Sequence, residues 1–185
     1  MSRYQKVIVE LGMGDGNLID HLRKNEIIKN SIFIGIEIDE KKHDDACDRL
    51  GTSQVCLIRD DFEKIIHEFP KHSIDEAIAV LPHPKYIDSS LANCWVPFYK
   101  ILLGKLKING VLTIVTELTN DLLEPITEDE YQNWKKSLIS IFLSIGYRIK
   151  RSFQGTPKGY RTTLLESFKA DPLRIKILTI ELKRK

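Results

Sequence analysis

The chain has 185 residues, of which 42% are hydrophobic and 29% charged, so we expect a folded protein of one domain (residues 1–185) and not a disordered one. No apolar run approaches the roughly 18 residues of a membrane span, and the first residues lack the apolar core of a signal peptide. Three widely spaced cysteines without a C-x-x-C pair are interpreted as reduced thiols and not as metal ligands. These features predict a cytoplasmic protein without membrane contact.

The small net charge of +2 conceals an asymmetry. Residues 147–185 hold eleven Lys and Arg against three Asp and Glu, a net charge of +8, and the remaining residues hold seventeen against twenty-three, a net charge of −6. A basic segment on an acidic body is typical of a protein with an anionic partner. A solvated surface with a frayed basic end at 183–185 explains the charge equally well.

The predicted elements alternate between strand and helix, which is typical of a parallel α/β sheet. Strands are predicted at 7–11, 32–36, 54–58, 74–81 and 110–116, with a turn at 107–110 before the fifth. Helices are predicted at 17–24, 40–50, 62–68, 90–106 and 128–145. The last of these has Thr127 as its N-cap, Glu130 as capping-box partner and Gly146 at its end.

The C-terminal part changes character. Residues 147–153 are predicted as a strand and 154–159 as a loop, followed by β-rich stretches at 161–168 and 174–183. No helix is expected between these stretches. They are predicted to be antiparallel hairpin strands at or near a sheet edge.

A glycine loop follows the first predicted strand, in the segment VIVELGMGDG at 7–16. Gly12, Gly14 and Gly16 permit close approach of the backbone to a ligand at the carboxyl end of the strand. Glu10 and Asp15 would repel a pyrophosphate but suit a cationic ligand such as S-adenosylmethionine, which carries a sulfonium and an ammonium. A tight turn without a ligand is the alternative.

Two further strands end in acids. Glu37 ends the second, where a carboxylate can accept both hydroxyl groups of a ribose, and Asp60 and Asp61 follow the third, where one can accept from an adenine amino group. Glu37 could instead belong to an acidic helix start, and Asp61 could be only a helix N-cap.

The fourth and fifth strands end in groups that could reach the same crevice. Residues 81–85 read LPHPK, and the two prolines make a stiff loop that could hold His83 at the rim or form a rigid turn without chemistry. The fifth strand ends with Thr116 and Glu117.

The segments 10–16 and 35–37 together with Asp60 resemble the cofactor motifs of class I S-adenosylmethionine-dependent methyltransferases. Within that group the chain resembles the tRNA (guanine-N7)-methyltransferase family over residues 7–121. The family's F-P-D-P-W, V-P-F, K-L-x-x-G-G and A-T-D motifs correspond to LPHPK at 81–85, VPF at 96–98, KLKING at 105–110 and VTE at 115–117. His83 replaces the family's aspartate, and Lys85 replaces its tryptophan.

This resemblance implies a Rossmann-like class I methyltransferase fold, with a mostly parallel seven-stranded sheet, helices on both faces and an antiparallel C-terminal hairpin. It also implies a cofactor-binding core at 1–121, with 147–185 as a basic β-rich segment. The expected function is S-adenosylmethionine-dependent methylation of RNA, most specifically of tRNA guanine N7, by a monomer or homodimer. A methyltransferase for a small molecule or protein, and an inactive binding or scaffold protein of the same fold, remain the alternatives.

The candidate residues fall into three groups. His83 and Glu117 are candidates for holding the target base. The expected cofactor-binding residues are Glu10, Gly12, Gly14, Gly16, Glu37, Asp60, Asp61 and Leu81. The expected substrate-binding residues are Lys85, Thr116, Arg151, Lys158 and Arg161, with Arg148 and Lys150 on the same basic hairpin. Phe153 and Tyr160 could stack on a base or lie in the core.

Overall fold

The computed structural model describes residues 5–24, 30–51, 54–120 and 124–184. Its seven strands form one sheet. The strands are β1 Lys6–Leu11, β2 Ser31–Glu37, β3 Val55–Arg59, β4 Ile74–Val80, β5 Leu106–Leu118, β6 Arg148–Gln154 and β7 Lys176–Lys183. The helices are α1 Asn17–Lys24, α2 Glu40–Leu50, α3 Phe62–Glu68, α4 Ala92–Lys105, α5 Glu128–Ile145 and α6 Thr163–Lys169.

The strand order is β3-β2-β1-β4-β5-β7-β6. Strands β1 to β5 pair in parallel, whereas β7 runs antiparallel between β5 and β6. The order reverses direction between β1 and β4, and such a switch point opens a crevice at the carboxyl ends of the strands. The predicted fold class is therefore confirmed, including the antiparallel C-terminal strands.

The sheet is covered by apolar side chains on both faces because its strands alternate their side chains between two clusters. One cluster contains Val9 with the aromatic side chains of α4 and α5, such as Trp95 and Phe142. The other contains Ile8 with side chains of α1, α2 and α6, such as Leu22. We call these the α4/α5 face and the α1/α2/α6 face.

Most predicted elements agree with the structure within a few residues, and α5 has the expected cap. The Thr127 hydroxyl accepts from the Glu130 backbone N–H, and the Glu130 carboxylate accepts from the Thr127 N–H at 2.8 Å. Gly146 ends the helix with a φ of 114°.

The prediction of a β-rich stretch at 161–168 is wrong, because this stretch contains α6. Thr162 is its N-cap and accepts from the backbone N–H of Leu165 at 3.1 Å. Leu165 and Phe168, three residues apart, face the core from the same side of the helix. The expectation that no helix connects the C-terminal strands is therefore also wrong.

The predicted turn at 107–110 lies within β5. The pairing with β4 shifts there, since Ile74 pairs with Leu106 but Glu76 pairs with Val111. Asn109 has a φ of 62° at this irregularity. Within the part of the chain that the structure describes, no helix is long and apolar enough to cross a membrane.

Candidate active site

A cavity of about 560 Å³ lies at the carboxyl ends of β1, β2 and β4. The glycine loop, the start of α2, the end of β4 and the start of α6 all contribute to its walls. Five carboxylates and two lysines line it, namely Glu10, Asp15, Glu37, Asp39, Asp45, Lys41 and Lys42. This excess of negative charge suits a ligand that carries positive charge.

The glycine loop depends on backbone angles that other residues adopt at a cost. Gly12, Gly14 and Gly16 have φ values of 70°, 58° and 75°. Gly12 and Gly14 line the cavity, and a Cβ at either would meet no atom within 4 Å. A Cβ at Gly16 would lie 2.7 Å from the Leu50 Cδ1, so Gly16 serves the packing of the loop on α2 and does not line the cavity.

Glu37 ties the loop to the start of α2. Its carboxylate accepts from the backbone N–H of Gly14 at 2.8 Å through Oε2 and from that of Asp39 at 3.0 Å through Oε1. The side chain is buried and lines the cavity. Each oxygen has a second lone pair, so the carboxylate can also accept from a ligand hydroxyl.

Glu10 lies at the end of β1 with 2% of its surface exposed. Its Oε2 has no hydrogen-bond partner among the described residues. Burial raises the pKa of Glu10 well above its usual range, and the nearby carboxylates of Asp15 and Glu37 raise it further. A buried acid without a partner is costly, and a cationic ligand in the cavity would stabilise its charged form.

Asp15, the second acid of the glycine loop, already has partners. Its Oδ2 accepts from Asn17 Nδ2 at 2.5 Å and lies 3.5 Å from the Arg49 guanidinium. The Asp15 charge is thus partly compensated, and Glu10 and Glu37 are the better candidates for a cation.

Leu81 lines the cavity beside β4 with a φ of 50°, which is unusual for a residue with a side chain. Its backbone N–H donates to the Val115 carbonyl at 2.7 Å, which anchors the strained residue on β5. Strain of this kind costs about 1 kcal/mol or more and is often found at binding sites.

The remaining wall comes from α6, which the sequence reasoning missed. Thr162, Thr163 and Leu164 line the cavity, and Leu164 is 51% exposed although it is apolar. The signal that could have revealed this helix is Thr162 as a cap three residues before Leu165. Ile38, directly after Glu37, is also apolar and 68% exposed, and the sequence reasoning did not single it out.

Asp60 and Asp61 lie outside the cavity lining. Asp61 accepts from the Glu63 backbone N–H at 2.9 Å as the N-cap of α3, which is the alternative considered from the sequence. The Asp60 backbone N–H donates to the Glu37 carbonyl at 3.2 Å, and its side chain is half-exposed next to the end of β2. Asp60 is therefore near the cavity, whereas the position of Asp61 is explained by helix capping.

His83 is exposed, and its Nδ1 accepts from the backbone N–H of Lys85 at 3.2 Å. This bond caps the short 3-10 turn Pro84–Tyr86. The Lys85 ammonium lies 4.4 Å from the centre of the Tyr86 ring, and a hydrogen bond to Tyr86 raises its pKa. Neither His83 nor Lys85 lines the cavity.

Thr116 and Glu117 lie near the carboxyl end of β5. Thr116 is fully buried, and neither its Oγ1 nor the Oε2 of Glu117 has a hydrogen-bond partner among the described residues. Burial raises the pKa of Glu117. Neither residue lines the cavity. Any contact of Thr116 or Glu117 with a methyl acceptor would therefore be made beside the cavity and not inside it.

The predicted substrate-binding cations do not meet at one place. Arg151 and Lys158 line a second cleft of about 450 Å³ on the α1/α2/α6 face. Arg161 lies beside the start of α6 and the end of α1. Tyr160 is buried in the core, which is the alternative that the sequence left open, and Phe153 is half-buried with the Arg151 guanidinium 5.2 Å from its ring centre.

No family model and no curated protein sequence matches the chain, so the resemblance to tRNA (guanine-N7)-methyltransferases is not confirmed. Solved structures do match. The 16S rRNA methyltransferase KamB has a TM-score of 0.70 at 12% identity, over 100% of this chain and 90% of its own.

Two further structures resemble the chain. Geranyl diphosphate C-methyltransferase from Streptomyces coelicolor, solved with S-adenosyl-L-homocysteine, has a TM-score of 0.66 at 12% identity over 98% of this chain and 70% of its own. The [4+2]-cyclase SpnF has a TM-score of 0.64 at 14% identity over 97% and 75%. The chain therefore has the fold of class I S-adenosylmethionine-dependent methyltransferases, a fold that serves several different acceptors and reactions.

Proposed function

We propose that this protein is an S-adenosylmethionine-dependent methyltransferase that acts on RNA. The observation that carries the cofactor assignment is the buried, unpartnered carboxylate of Glu10 in an acidic cavity beside the glycine loop. Without a positively charged ligand, that group only destabilises the fold. A sulfonium with an adjacent ammonium group has the charge that the cavity lacks.

In this proposal Glu10 faces the positive charge of the cofactor, and Glu37 accepts from its ribose hydroxyls while it holds the glycine loop. Gly12 and Gly14 leave room for the ligand, and the exposed apolar side chain of Ile38 is available to cover the adenine ring. When bound, the cofactor supplies an electrophilic methyl group. The residues around it contribute by holding the acceptor in line at about 3 Å and by excluding water.

RNA is favoured as the acceptor by the +8 charge of residues 147–185. KamB, with the same fold, is named as acting on 16S rRNA. The motifs at 81–85 and 96–98 favour tRNA guanine N7 as the specific target. Guanine N7 has a lone pair and no proton to lose, so His83 and Glu117 would need only to position the base and not to act as a strong base.

A small-molecule acceptor is the second candidate. It is favoured by α6, because Thr162, Thr163 and the exposed apolar side chain of Leu164 give the cavity a wall suited to a compact, partly apolar molecule.

The experiment that separates these functions is incubation of the purified protein with methyl-labelled S-adenosylmethionine and bulk tRNA, rRNA, protein and small-molecule fractions. We expect label in RNA, and nucleoside analysis then identifies the modified base. Label only in small molecules or protein would overturn the RNA assignment. Calorimetry that shows no cofactor binding would overturn the methyltransferase assignment altogether.

A further inference from the structure

The edge strand β6 contains a β-bulge. Ile149 pairs with Leu182 of β7 and Arg151 with Glu181, so Lys150 is one extra residue between them. In a regular strand Lys150 and Arg151 would point to opposite faces of the sheet. Here both reach the same carboxylate, because the Lys150 Nζ lies 2.8 Å from the Glu181 Oε2 and Arg151 pairs with the Oε1.

The bulge therefore adds one cation to a face that already holds others. Arg148 pairs directly with Lys183 of β7, and two like charges at such a position are destabilising. Neither Arg148 nor Lys183 has a salt-bridge partner in residues 5–24, 30–51, 54–120 and 124–184. Together with Lys150, Asn109 and Arg184 they line a cleft of about 450 Å³ whose lining holds no carboxylate.

This cleft adjoins the cleft that Arg151 and Lys158 line, and Lys150 belongs to both. Glu181 is the main negative charge that compensates the cations of these two clefts. Burial opposes its ionisation, but hydrogen bonds from Arg151 and Lys150 hold its pKa below the usual range. Burial raises the pKa of Glu76, the other acid there, so it compensates less. The surface formed by Arg148, Lys150, Arg151, Lys158 and Lys183 is named the bulged basic face.

Charged side chains on an edge strand can also serve to prevent edge-to-edge pairing of sheets. That role does not explain Lys183, because β7 lies between β5 and β6 and is not at the edge. A cation at the end of an interior strand, directly opposite another cation, would be stabilised by a ligand that neutralises both.

The bulged basic face begins at the end of the sheet opposite to the cofactor cavity. Lys183 pairs with Val111, and β5 advances by about 20 Å from Val111 to Glu117 at roughly 3.3 Å per residue. A small acceptor in the cofactor cavity cannot reach that far. A chain of linked anions can contact both ends, and remote contacts of this kind contribute binding energy to a reaction elsewhere.

We propose that the bulged basic face binds the sugar–phosphate backbone of RNA, outside the cofactor cavity. This inference rests on the proposed function only in the choice of RNA as the polyanion. The backbone phosphates neutralise Arg148 and Lys183, which have no salt-bridge partner in the described part of the chain, and lie along two clefts that share Lys150. Base identity is not read there, because the contacts are to phosphates.

The test compares the wild-type protein with the double variant R148E/K183E by fluorescence anisotropy of a labelled single-stranded RNA and of labelled bulk tRNA. We expect RNA affinity to fall at least tenfold, and the negative slope of log affinity against log salt to become less steep by about 1.4 for two lost phosphate contacts on a single strand. The matched control is K100E/K136E, which makes the same change in net charge on exposed residues of α4 and α5. We expect its affinity to remain near that of the wild type.

Equal loss of affinity in both double variants, or no RNA binding by the wild type, would overturn the inference. R148Q/K183Q removes the charges without adding acids beside Glu181, and it should show a smaller loss of affinity in the same direction. Binding of inorganic phosphate that RNA does not displace would also overturn the inference, because the site would then be one for free phosphate. Cofactor affinity, measured by calorimetry on the same proteins, should be unchanged, so failure of cofactor binding and failure of RNA binding are distinguishable.

Discussion

The two ends of the parallel strands differ in charge and in how that charge is held. At the carboxyl ends, Glu10 and Glu37 surround a cavity whose loop has three glycines with positive φ. At the opposite end, Arg148 and Lys183 lie opposite each other on paired strands, close to the bulge at Lys150 and to the shifted pairing at Asn109. The acidic end is a site with buried carboxylates, and the basic end is an open surface of mostly exposed cations.

This difference separates two kinds of recognition. A buried carboxylate without a partner gains most from one ligand charge at a fixed place, because the low dielectric around it strengthens that contact. Open cations gain from many weak, salt-screened contacts. Mutations at the acidic end should therefore have large and local effects, and charge changes at the basic end should have smaller effects that depend on salt.

The largest effect is expected from Gly16→Ala. A methyl group there would lie 2.7 Å from the Leu50 Cδ1, in a residue with a φ of 75°, so the free energy of unfolding should fall by about 2–4 kcal/mol. Gly14→Ala is the control, because it has the same kind of strain but open space, and should cost about 1 kcal/mol. Urea denaturation measures both; equal losses would contradict the packing role of Gly16.

Glu37→Ala should weaken cofactor binding by about 1–3 kcal/mol, since it removes a charged acceptor and releases the Gly14 and Asp39 backbone groups. Glu40→Ala removes an exposed carboxylate three residues away, which forms an ion pair with Arg59, and should leave the affinity unchanged. Calorimetry with S-adenosylmethionine measures both variants. An unchanged affinity in Glu37→Ala would remove Glu37 from the site.

Glu10→Gln should change stability and binding in opposite directions. Cofactor affinity should fall about tenfold, whereas the free energy of unfolding at neutral pH should rise by about 1 kcal/mol, because the variant lacks the buried carboxyl whose ionisation burial opposes. Parallel calorimetry and urea denaturation test this. If both properties fall together, Glu10 has a structural role and not a binding role.

The pH dependence of Glu10 gives a smaller effect with a defined sign. Folding raises its pKa, so its contribution to stability is fully present below the unfolded value of about 4.3 and is lost as pH rises through the folded pKa. The stability advantage of Glu10→Gln should therefore grow with rising pH. A bound cation lowers the pKa of Glu10, so cofactor binding should release part of a proton, detectable by calorimetry in buffers of different ionisation enthalpy. Proton uptake would contradict the assignment.

The parallel part of the fold could be predicted because each apolar run is long and is followed by a polar loop and a helix. Helix α6 could not be predicted in the same way, since its adjacent apolar residues Leu164 and Leu165 read equally well as part of a strand. The helix is stabilised because Leu165 and Phe168 pack among the apolar side chains of the sheet, α1 and α2 on the α1/α2/α6 face.

The site could be predicted where the chemistry is local. Glu10, Glu37 and the glycines follow their strands directly, and parallel strands bring such positions to one edge. Asp61 could be read both as a ligand and as a cap, and only the structure shows the cap. The bulge at Lys150 could not be predicted at all, because it is defined by the pairing of β6 with a strand that comes much later in the chain.

The position of β7 makes the C-terminal half of the molecule interdependent. Among the described strands, β6 pairs with β7 alone, and β7 also carries β5 on its other side. Residues 176–183 thus connect β6 to the rest of the sheet. They also support the chain that leads from β6 to α6 and the cavity wall. A mutation that breaks the pairing of β7 should disrupt the bulged basic face and displace the α6 wall of the cavity in one cooperative event, while β1 to β5 keep their own pairing.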